Sequence, residues 1–138
     1  MPNSEKNFGR LPDAELDVML VLWGAEGPMK TAKILEALNN KKEWSISTLQ
    51  SLLSRLEERG FVEVQKQMRF KYYVPAISEA DYRNKETKTF LERLHGNSFK
   101  SLIATLIDSK AASSSELAEI EEMLRKAGKN NGGNTLSE

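Results

Sequence analysis

Ser47, Thr48, Gln50, Ser51, Ser54 and Arg55 crowd hydrogen-bonding side chains into nine positions of the chain. Serine and threonine hydroxyls donate to phosphate oxygens, glutamine can bond two edge atoms of adenine, and arginine pairs with guanine or with a phosphate. That is the chemistry of holding a polyanion and reading its edges. Interleaved with these residues, Leu49, Leu52, Leu53 and Leu56 recur at i, i+3, i+4 and i+7, so the stretch is an amphipathic helix with leucines inward and the polar set outward. A merely solvated helix face more often shows Glu and Lys. The helix start is read either as an N-cap at Ser45 or as a capping box formed by Ser47 and Gln50. Either start turns free N–H groups outward, which suits a phosphate.

Lys66, Arg69 and Lys71 supply a second, ionic chemistry close by. Gly60 is a natural C′ residue for the helix. Phe61, Val62 and Val64 then read as a strand, Phe70, Tyr72, Tyr73 and Val74 as its return, and Lys66 to Arg69 as the turn. A helix followed by a basic hairpin is the order of a winged helix-turn-helix. Helix 45–60 would enter a DNA groove and wing 64–72 would grip the backbone beside it, with Ser45 adding to the contact set. Lys41 and Lys42 extend the local positive charge; from Lys41 to Tyr73 there are seven Lys or Arg against four Asp or Glu.

Other elements must position this pair. A first helix from Pro12 to Trp23 is expected to turn Leu16, Met19, Leu20 and Trp23 inward, and a second from Thr31 to Leu38 to bury Ile34, Leu35 and Leu38. Residues 1–10 read as a loose arm and 11–76 as the winged-helix domain. Beyond Pro75, Ser78 with Asp81 opens a long helix edged by Tyr82, Phe90, Leu91 and Leu94. A further helix holds Phe99, Leu102, Ile103, Leu106 and Ile107, and a last one, capped by Ser113 and Glu116, holds Leu117, Ile120, Met123 and Leu124. Three such helices over 77–126 make a thin core of their own. A second copy would complete it through Phe90, Leu94, Phe99, Leu102, Ile103, Leu106, Leu117, Ile120 and Leu124, and a two-fold dimer matches an inverted-repeat DNA site. Residues 127–138 read as a disordered tail. The expected class is mostly α with one small antiparallel hairpin.

Composition excludes other functions. The chain has 138 residues, 20 Lys or Arg against 20 Asp or Glu, and no Cys. Disulfides and thiolate metal sites are therefore absent, and no metal or cofactor is expected. The longest apolar run, Val18 to Trp23, is too short for a membrane span, so the expectation is a cytoplasmic protein without membrane insertion. His95 is the single histidine, with no catalytic partner near it in sequence, and reads as a helix C-terminal residue. Carboxylates such as Glu57, Glu58, Glu121 and Glu122 sit on solvated helix faces. An enzyme is not expected. The rival class is a winged-helix module that docks on a protein, which the zero net charge suits and which would bind with little salt dependence.

The stretch LPDAELDVMLVLW from Leu11 to Trp23, with Trp44-Ser45, Thr48, Leu52, Arg55-Leu56, Gly60-Phe61, Tyr72-Tyr73 and Lys88-Thr89-Phe90-Leu91, resembles the penicillinase-repressor family of bacterial winged-helix regulators. The resemblance spans about 11–126. It implies a homodimer on a palindromic operator, with intertwined C-terminal helices. It also implies release by a membrane sensor-protease that cuts within the dimerisation region. Thr48 matches a family hydroxyl that faces the operator, and Arg55 an arginine near the far end of the same helix. Gln50 and Ser47 stand where basic residues are common, and Ser51 where threonine is, so the operator implied differs. Thr105-Leu106 occupies the place of the Asn-Phe found at the cleavage site of the β-lactam-responsive members, which leaves a cut there open. A copper-responsive branch carries a C-terminal cysteine pair that this chain lacks.

Overall fold

The computed structural model describes residues 8–40 and 43–130. Lys41 and Lys42, most of the expected N-terminal arm (1–7) and residues 131–138 of the expected tail lie outside the described residues. The elements run α1 (Asp13–Trp23), β1 (Met29–Lys30), α2 (Thr31–Leu38), α3 (Ile46–Glu58), β2 (Val62–Gln67), β3 (Phe70–Pro75), α4 (Glu79–His95), α5 (Phe99–Asp108) and α6 (Ser114–Asn130). Residues 127–130 are thus the last turn of α6, where the sequence suggested disorder.

By its internal packing the chain divides into two units, one ending at Thr87 and one beginning at Lys88. The expected boundary at 76/77 falls inside the first unit, because Ile77 and Tyr82 are buried in its core. That core gathers Val18, Met19 and Leu22 of α1, Ile34 and Leu38 of α2, the four leucines of α3, and Phe61, Val62 and Tyr73 of the hairpin. Each such side chain withdrawn from water contributes roughly 1.5–3 kcal/mol, so the leucine stripe of α3 is a main support of the fold.

The sheet has three antiparallel strands in the order β1-β3-β2. The sequence reading did not foresee β1, whose two residues pair Met29 with Tyr73 and Lys30 with Tyr72. The hairpin turn is also tighter than expected. Strand β2 continues to Gln67, which pairs with Phe70, so Met68 and Arg69 alone make the bend, and Met68 takes a left-handed φ of 60°.

Two further expectations are corrected. In α1 the buried residues are Glu15, Val18, Met19 and Leu22, while Leu20 is exposed and Leu16 and Trp23 are half-buried. The helix is rotated to carry Glu15 inside, where two arginines receive it. The stretch 8–10 is packed rather than loose: the Phe8 ring lies 5.7 Å edge-on to Phe61 and 6.0 Å from the Tyr82 ring, and Lys85 Nζ donates to the Phe8 carbonyl.

In the second unit Ser98 Oγ caps α5 by accepting from Ser101 N–H, and Ser113 Oγ caps α6 by accepting from Glu116 N–H. Neither α5 nor α6 buries a residue.

Candidate nucleic-acid interface

The start of α3 is settled in favour of Ser45. Its Oγ accepts from Thr48 N–H at 3.1 Å and donates to Thr48 Oγ1 at 2.8 Å. Ser45 is thereby occupied with capping, while the Thr48 hydroxyl, having accepted, keeps its own hydrogen to donate outward. The helix stops in a Schellman motif. Phe61 N–H reaches Leu56 O at 2.8 Å and Gly60 N–H reaches Glu57 O at 3.1 Å, with Gly60 at φ 81°. That stop swings the chain from α3 directly into β2, which sets the helix and the hairpin side by side.

With Leu49, Leu52, Leu53 and Leu56 buried, Ser47, Ser51 and Ser54 point away from the core, and all three are exposed. Gln50 flanks this face on one side. Thr48 and Arg55, seven residues apart, flank it on the other, and all three are exposed. Glu58 closes the polar face at its C-terminal end, so the donors are concentrated in the first three turns. The arrangement offers hydroxyl and amide groups over a width that a major groove accepts.

The wing residues Lys66, Arg69 and Lys71 are all exposed. Lys66 stands directly opposite Lys71 in the β2–β3 register. Like charges facing one another across a ladder destabilise a hairpin, and an anion seated between them removes the penalty. Because alternate residues share a face, this pair lies on the same side as Val62, Val64 and Tyr73, the side turned toward the helices. The two lysines therefore continue the core-side face of the hairpin beyond Val64 and Tyr73 into exposed positions. Lys30 of β1, paired with Tyr72, lies on the other face of the sheet, its Nζ 4.6 Å from the centre of the Phe70 ring.

Two features were missed in the sequence. Arg55 Nη1 lies 3.5 Å from Glu15 Oε2, and Arg59 Nη1 lies 3.2 Å from Glu15 Oε1, so the arginine expected to face DNA also holds a buried carboxylate. His95, expected to lack a partner, has its Nδ1 2.9 Å from Ser101 Oγ, across the bend that Gly96 and Asn97 make with left-handed φ values.

The residues expected to pair with a second copy lie in the second unit and show their apolar surfaces. Phe90, Leu94, Phe99, Leu106, Leu117 and Leu124 are exposed, and Leu102, Ile103 and Ile120 are partly covered. Thr105 and Leu106 fall within α5, where Thr105 Oγ1 donates to Ser101 O. Among the described residues no helix is long and apolar enough to cross a membrane, and no group of three His, Cys, Asp or Glu could hold a metal ion.

Comparison with known proteins places this geometry. The penicillinase repressor of Bacillus licheniformis is 29% identical over 121 residues, covering 88% of this chain and 94% of its own length. The methicillin resistance regulatory protein MecI of Staphylococcus aureus is 27% identical over 116 residues, covering 84% of this chain and 94% of its own. The solution structure of the DNA binding domain of the repressor BlaI is 35% identical, with a TM-score of 0.50, and covers 56% of this chain and 93% of that one. That likeness confirms the fold of the first unit as a winged helix. The family model described as penicillinase repressor matches residues 11–126. On that match, which takes in both units, the chain belongs to the penicillinase repressor family.

Proposed function

We propose that this chain is a sequence-specific transcriptional repressor that occupies a palindromic operator as a homodimer. Helix α3 reads bases through Ser47, Thr48, Gln50, Ser51, Ser54 and Arg55, with Ser45 shaping its first turn. The wing grips the backbone through Lys66, Arg69 and Lys71. The observation that carries this reading is the Lys66–Lys71 pair, a like-charge cross-strand contact whose cost an anion would relieve, set beside a helix face of short donors. Relatives named for repression and regulation over most of the chain support it. Repression is by occupancy of the promoter, so no bond is made or broken and no cofactor is required.

Homodimerisation through α5 and α6 is supported by their apolar residues, none of which is fully buried among the described residues. Release by a membrane sensor-protease would place the cut between Thr105 and Leu106. Because those residues are helical, that helix must open before a protease can reach the bond. The protein acts in the cytoplasm, where the operator is.

Two groups of substitutions test the division of labour. Thr48→Ala or Gln50→Ala is expected to cost about 1–3 kcal/mol on a preferred duplex and little on others. Lys66→Ala, Arg69→Ala or Lys71→Ala should weaken every duplex alike and lower the salt slope by about one unit each. Equal loss on all sequences from both groups would refute base reading, and insensitivity of duplex binding to either group would favour protein docking.

A further inference from the structure

Among the described residues Glu15 is the one buried charged side chain, its side chain 3% exposed. A carboxylate in a core is costly unless it is paired and fully bonded, and a hydrophobe of similar volume would pack the site as well. Its two partners differ. Arg59 is fixed from several directions: it bonds Glu15, donates Nη2 to Arg10 O at 3.3 Å and lies over the Phe61 ring at 5.3 Å. Arg55 gives Glu15 a single nitrogen, and its side chain stays 60% exposed on the same stripe of α3 as Thr48. Two guanidinium groups against one carboxylate leave one net positive charge, and Arg55 is the group that shows it to solvent.

We infer that Glu15 is a positioning residue for DNA recognition, holding Arg55 by one nitrogen so that the remaining donors of its guanidinium meet the duplex in one fixed pose. This inference rests on the DNA-binding reading above. A guanidinium suits the task because its five donors are spread over a rigid fork, so one arm can be tethered while the others point outward; the three donors of an ammonium share one atom. Tethering also limits indiscriminate attraction. A free arginine beside the groove would neutralise whichever phosphate came near, whereas one tied to a buried carboxylate is partly neutralised and sterically confined.

The test compares binding of the full chain to a duplex enriched from a random pool with binding to random duplex of equal length, over a range of salt. Glu15→Gln keeps the shape and removes the charge. Its preference for the enriched duplex is expected to fall about tenfold, with tighter binding to random duplex and a salt slope steeper by about one unit. Arg55→Lys, which keeps a cation beside Glu15 but removes the guanidinium fork, should lose a similar preference while keeping its grip on random duplex. A purely structural role for Glu15 would weaken both duplexes together and would not steepen the slope. Retention of the wild-type preference by either folded variant overturns the inference while leaving the repressor reading intact. Failure of the wild-type chain to enrich any sequence overturns both.

Discussion

Tyr82 shows how one side chain can tie the N-terminal stretch to the first unit. Its hydroxyl accepts from Leu11 N–H at 2.8 Å, and its ring contacts those of Phe8, Phe61 and Trp23. Burial raises its pKa above the ordinary 10.0 and the Glu86 carboxylate adds to the rise, while the Leu11 hydrogen bond, Arg10 and Arg59 oppose it. A raised pKa in the folded state means that the stability tied to this group is complete below about pH 10 and is lost as pH climbs through the folded value. Tyr82→Phe strands the Leu11 N–H and should cost about 1–3 kcal/mol at neutral pH. Thermal melts at neutral and strongly alkaline pH check both points: the wild type should lose more stability between them than the Phe variant. Equal alkaline losses would remove Tyr82 from that role.

At the scale of elements, α5 and α6 are the helices that bury no residue among those described. Leu106→Asp on α5 is expected to convert a dimer to a folded monomer, read by sedimentation with helical content retained. A variant that stays dimeric would place the interface elsewhere. These helices, like α3, were legible in the sequence because polar and apolar residues alternate cleanly at the helical period. Helix α1 was legible as a helix but not in its facing, since Val18 to Trp23 is apolar on every side and periodicity cannot choose among the faces. Strand β1 was hidden because two residues have no period, and it exists only through pairing with β3. Glu15 lies in the opening turn of α1, where an acid complements the helix dipole without any distant partner. Its arginine partners lie 40 and 44 residues away, a distance that local patterning does not span. Phe8 was misjudged for the same reason, its ring partners being brought to it by α4 and the end of α3.

Over the whole molecule the formal charge is zero, yet its distribution is uneven. Cations cluster around α3 and the wing, whereas Glu116, Glu119, Glu121 and Glu122 make the first half of α6 acidic. A neutral total with a local basic surface gives little long-range attraction to DNA in general and leaves discrimination to contacts within the groove. In the proposed reading the first unit reads half a site and the exposed apolar residues of the second pair two copies, which suits one symmetric duplex. The most direct measurement is selection from a pool of random duplexes at about 0.15 M salt, close to physiological ionic strength, followed by sequencing of the retained DNA. Recovery of an inverted repeat, its halves about one helical turn apart or a multiple of it, is the predicted result. Retention without enrichment, or enrichment of a single unrepeated half, would contradict a dimeric, base-reading repressor.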